Sequence, residues 1–198
     1  MTPHLVVLYV DNIPLEYFSD FTDSVRAEGL DLAVESRPSG IPYAGIEWLM
    51  PTAIVAYLAK PYFESFLKEM GKDHYGLVKQ GLQKLYTRVA GSKAPEVSLI
   101  STAGKADRDQ PYSLFFSVVV EGPQGNLFKL LIPKPIEQQD YEAAVTAFLE
   151  FALQLNWGML DERAVIDFNE ATPTGRTTLV VYDTAAKRIR PVNPLVGR

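Results

Sequence analysis

The chain has 198 residues, of which 47% are hydrophobic and 22% charged, and it carries a formal net charge of −5. These are globular proportions, and a chain of this length buries roughly 70% of its unfolded surface without a metal or disulfide staple. Cysteine is absent, which excludes disulfides, thiol nucleophiles and Cys-ligated zinc, and the two histidines, His4 and His74, are too few for a three-histidine metal site.

Leu5–Val10 is a continuous apolar, β-branched run, the pattern of a strand buried on both faces. No basic segment precedes this run, and Asp11 ends it, so it reads as a strand and not as an export signal, and a cytoplasmic location is expected. Leu15–Gly29 follows with Leu15, Phe18, Phe21 and Val25 at helical spacing, and Leu32–Ser36 is a short strand. Strand, helix and strand in this order predict a parallel βαβ unit.

Arg37–Gly45 is a Pro/Gly/Ser loop, and Thr52–Ala59 is apolar on all sides, which predicts a central helix started by Pro51. Pro61 must kink that helix or start another, because its ring would clash with the carbonyl of Tyr57. Tyr62–Met70 is amphipathic, with Glu64 and Lys68 at i,i+4 spacing. The next helix has Asp73 as its N-cap and buries Tyr75, Val78, Leu82, Leu85 and Val89, while His74 reads as a first-turn surface residue.

From Glu96 the period changes to two. Val97–Ser101 is a modest strand, and Tyr112–Glu121 is the strongest in the chain, apolar on both faces and therefore central. GPQGN turns it back into Leu127–Ile132. Glu137–Asn156 is a helix burying Tyr141, Ala144, Phe148, Ala152 and Leu155, and Thr177–Tyr182 with Arg188–Val192 forms a second hairpin around DTAAK. The fold expected over 1–198 is one α/β or α+β domain. Its mixed sheet has about 5–7 strands, including the βαβ unit and two hairpins, with three to five helices.

Nucleotide, metalloprotease and nucleophile-elbow motifs are missing, and no cofactor or metal is expected. Thr172–Thr178 (TPTGRTT) resembles a phosphate loop only in composition, since it leads into a strand and offers no helix N-terminus. The candidate catalytic residues are Asp11, which follows the first strand where α/β sheets open a crevice, and His74, able to exchange a proton near neutral pH. The ordinary reading makes Asp11 a strand terminator and His74 a capping residue, and the two are expected not to come within hydrogen-bond reach. Asp107 and Asp109 flank Arg108 in a loop of mixed charge, and Asp183 opens a turn.

Charge is uneven. Residues 1–50 carry a balance of −6, whereas residues 71–94 and 174–198 each carry +4. Lys72, Lys79, Lys84 and Arg88 on the helix, with Arg188 and Arg190 on the hairpin, are candidate binding residues for an anionic partner if they share a face. The helix cations straddle the polar face without forming one stripe, and specific nucleic-acid binding is not expected. The longest charge-free run, Trp48–Ala59, has twelve residues against the ~20 of a membrane span, so no stable transmembrane span is expected. The leading functional reading is a non-catalytic intracellular interaction or accessory protein, with a protein partner or self-association. The alternatives are a hydrolase-type enzyme using scattered carboxylates with His74 or a metal, and a membrane-active protein releasing segment 41–70.

Overall fold

Seven strands hydrogen-bond side by side in one mixed sheet of order β2-β1-β3-β4-β5-β6-β7. The structure is a computed structural model and describes residues 3–38, 52–90 and 111–193. The strands are β1 (Leu5–Val10), β2 (Leu32–Arg37), β3 (Ile54–Leu58), β4 (Phe116–Glu121), β5 (Leu127–Leu130), β6 (Thr177–Asp183) and β7 (Arg188–Pro191). The pairs β1·β2, β3·β4 and β5·β6 are parallel, while β1·β3, β4·β5 and β6·β7 are antiparallel. With five helices among the described residues, α1 (Ser19–Val25), α2 (Leu67–Met70), α3 (Lys72–Ala90), α4 (Gln138–Asn156) and α5 (Glu162–Asn169), this is the expected mixed α/β domain with its βαβ start and two hairpins.

Register explains the core. Val7, Ala56, Val118, Leu130 and Val180 lie opposite one another across five strands, and all are buried. Side chains alternate between faces along a strand, so one row fixes which face each strand turns to the helices. That face joins Val78, Leu82 and Leu85 of α3 and Phe148 and Ala152 of α4 in one apolar cluster. The stacked rings of Tyr86 and Tyr141, 3.6 Å apart, tie α3 to α4, and the Tyr141 hydroxyl donates to the Leu82 carbonyl. On the opposite face Val55, Val119, Leu131 and Leu179 are also buried, outside that cluster.

The expected helix over Thr52–Ala59 is corrected to strand β3, third of seven and paired on both sides. A short all-apolar run satisfies a buried helix and a doubly covered strand equally; the β-branched and aromatic content of IVAYL favours the strand. Its central place stands, and freeing 52–70 would break two strand pairings. No helix of the described residues is long and apolar enough to cross a membrane. Pro61 lies in the opening turn of a helical segment made of a wide turn, Tyr62–Phe66, and α2.

Other boundaries shift. A 3-10 turn at Leu15–Phe18 precedes α1, which stops at Val25. Strand β4 starts only at Phe116, with Tyr112 making an isolated bridge to Pro133. Lys72, not Asp73, opens α3. Helix α5 has no counterpart among the elements expected from the sequence. The expected strand at 97–101 and the loop holding Asp107 and Asp109 lie outside the described residues.

Candidate functional site

His74 is 3% exposed, not a surface residue as its first-turn position suggests. The end of α1 and the Tyr62–Phe66 turn close around it. Its Nε2 lies 2.6 Å from the carbonyl oxygen of Val25, the last residue of α1. A carbonyl can only accept, so Nε2 carries the proton and donates. Nδ1 is then the ring's acceptor, and the Tyr62 hydroxyl donates to it across 3.2 Å. Phe66 stands edge-on to the imidazole at 4.7 Å. Gly81 lets the helices approach this closely, since a Cβ there would sit 3.0 Å from Phe21 and Val25. Burial holds the imidazole below its ordinary value of 6.5, opposed by the Val25 hydrogen bond, and burial pushes the Tyr62 phenol up. Both ring nitrogens are hydrogen-bonded to groups of the core.

Asp11 is exposed and follows the last residue of β1. His4 precedes the same strand, and its ring meets Phe66, the residue that also covers His74. Asp11 and His74 therefore lie at opposite ends of β1, roughly 20 Å of strand apart.

The basic candidates lie on two elements, α3, which packs on α1 and α4, and β7, which packs on α4 and α5. Arg88 pairs with Asp20 and lies over the Tyr17 ring, Arg188 pairs with Asp167 of α5, and Arg190 pairs with Asp183 at 2.9 Å. Lys84 lines an open cleft with Gln80, Gln83, Gln138 and Glu142, of mixed charge, and Lys79 is half-buried. Of the Lys72 side chain nothing is described. No group of three His, Asp or Glu among the described residues could hold a metal ion.

Two features escape sequence reasoning. Lys129 of β5 is 5% exposed on the sheet face away from the helices, where burial, then the nearby Arg37 charge, lower its ammonium to about 8. Its place in the alternation of LFKL marked one face of β5, but nothing in the sequence showed that face to be covered. The second is a groove of about 720 Å³ between α5, the end of α4 and the β4–β5 turn. Phe128, Leu155, Leu160, Val165 and Phe168 give it an apolar floor. Phe168 stacks on Phe151 at 4.7 Å and meets Phe128 edge-on at 5.7 Å, which anchors α5 to the sheet. Asn126, Asn169, Thr178 and Arg176 supply the polar wall. The signal for α5 was present: Asp161 as N-cap, accepting from the Ala164 N–H at 2.7 Å, and Ala164, Val165 and Phe168 at helical spacing. The chain matches no protein-family model, no curated protein and no solved structure.

Proposed function

We propose that this chain is a non-catalytic interaction or accessory protein and that the groove beside α5 is its binding surface. The observation carrying this reading is the groove itself. Its volume lies within the ~300–1,000 Å³ of ligand sites, and an apolar aromatic floor with a few polar groups on one wall is the usual make-up of such sites. Met159 and Ile166, next in sequence to the lining residues Leu160 and Val165, are exposed hydrophobic residues.

The test is a fluorescence titration with N-phenyl-1-naphthylamine, a neutral apolar probe that brightens on leaving water. Saturable binding is expected, weakened at least about tenfold in Val165→Asp and in Leu160→Asp, because a carboxylate on the floor costs its desolvation. Melting should stay close to wild type in Val165→Asp, since Val165 is 42% exposed. Absence of saturable binding, or binding that both variants leave intact, overturns the proposal.

A further inference from the structure

We infer that the groove beside α5 takes an amphipathic monoanion, a free alkyl or aryl carboxylate whose apolar part lies on Phe128, Val165 and Phe168 and whose head group meets Arg176. The inference rests on the binding reading above and adds the chemistry of the ligand. Arg176 is the one charged residue among the described residues lining the groove, and it is exposed. Its Nη2 donates to the Gly125 carbonyl at 2.7 Å, which holds the guanidinium at the β4–β5 turn. Gly125 makes room for this: it has φ +72°, and a Cβ there would stand 2.5 Å from Nη2. Among the described residues no carboxylate forms an ion pair with Arg176, unlike Arg88, Arg188 and Arg190, although the Glu121 carboxylate also stands by the β4–β5 turn, its Oε1 3.7 Å from where a Gly125 Cβ would sit. A planar cation among the residues that line an apolar groove is complementary to a carboxylate at the end of an apolar body. Asn126 and Asn169, which also line the groove, add amide donors without adding charge.

The experiment displaces N-phenyl-1-naphthylamine with decanoate, decanol and decylamine, all below their aggregation limits. In the wild-type protein decanoate should compete about fivefold to tenfold better than decanol, the scale of one partly solvated charged hydrogen bond. Decylamine should be the weakest. Arg176→Gln should bring decanoate down to the level of decanol while leaving decanol unchanged, and Arg176→Lys should keep part of the preference. The preference should shrink as salt is raised. Equal competition by decanoate and decanol in the wild type, or preference for the amine, overturns the carboxylate assignment while leaving the groove as a binding surface. Failure of all three to displace a bound probe overturns the carboxylate assignment together with an alkyl occupant. Failure of the probe itself to bind removes the groove reading beneath it.

Discussion

The cluster around His74 and the groove beside α5 lie at the same end of the sheet, where β1 begins, β4 ends and β6 begins, yet they are built in opposite ways. The first holds a chemically versatile side chain in a closed setting. Every polar atom of the imidazole has a partner from the protein: Val25 on one side, Tyr62 on the other. The second has an unremarkable set of side chains, among them two phenylalanines, two leucines and a valine, in an open setting. The difference teaches that the capacity of a site depends less on which residue types it holds than on which lone pairs, hydrogens and apolar surfaces the fold leaves unsatisfied. By that measure His74 is a pin joining α1, the Tyr62 turn and α3, and the groove is the surface with capacity to spare.

The largest expected effect tests the pin. His74→Ala removes a buried ring and strands the Tyr62 hydroxyl and the Val25 carbonyl, so it should cost about 3–5 kcal/mol in chemical denaturation. The groove variant Val165→Asp should show the opposite profile, with lost binding and almost unchanged stability. A loss below about 1 kcal/mol in His74→Ala, inside the range of ordinary surface substitutions, would break the contrast and return His74 to the candidates for chemistry.

How far the sequence reveals these two regions follows from the physics of each. The strands β1, β4 and β6 and the helices α3 and α4 are legible because their apolar periodicity is long enough to select one geometry. The segment Ile54–Leu58 is not, since an unbroken apolar run records burial on all sides without recording the period. The burial of His74 is illegible for another reason: its partners lie 49 and 12 residues away, and only tertiary packing brings them to the ring. The groove depends on α5, an eight-residue helix whose stripe is short and whose anchor, Phe168, finds its aromatic neighbours on α4 and β5. Arg176 sits in a loop whose composition resembled a phosphate loop. Its reach to the β4–β5 turn depends on strand order, which local patterns do not encode.

A pH titration sharpens the contrast further, with a smaller effect. The folded imidazole is held below its ordinary value of 6.5, chiefly by burial. The stability it provides is therefore complete above about pH 6.5 and is lost as pH falls toward the folded value, because the unfolded chain binds a proton that the folded one refuses. His74→Asn should remove this proton uptake, leaving a stability profile that falls less steeply with decreasing pH below about 6.5. Asp183 contributes lower down. Its carboxyl is held below its usual value by the Ala186 N–H and then Arg190, so its share is lost only as pH falls below about 3.8. Parallel wild-type and variant profiles between pH 7 and 5 would show that the ring titrates alike in the folded and unfolded chain, and the pin would lose its electrostatic basis.

The smallest effect concerns the groove's own support. Helix α5 buries no residue completely. It is held by the Phe168 stack, by the pair of Asp167 with Arg188, and by the Asp161 carboxylate, which accepts from the Ala164 N–H while the Asp161 carbonyl accepts from the Val165 N–H. Asp161→Ala removes the side-chain cap and should cost about 1 kcal/mol. The cost should appear locally, because a short surface helix with few buried contacts opens without unfolding the sheet. Amides of Ala164–Asn169 should exchange about fivefold faster, while those of β4 and α3 should keep their rates and the affinity of the groove for the neutral probe should change little, because the closed state remains the majority. Asp161→Asn, which keeps an acceptor oxygen, should restore most of the protection. If exchange quickened equally in β4 and α3, α5 would be part of the global unfolding unit. The groove would then be as rigid a structure as the His74 cluster, and the contrast between a closed pin and an open, locally adjustable surface would fail at its weaker end.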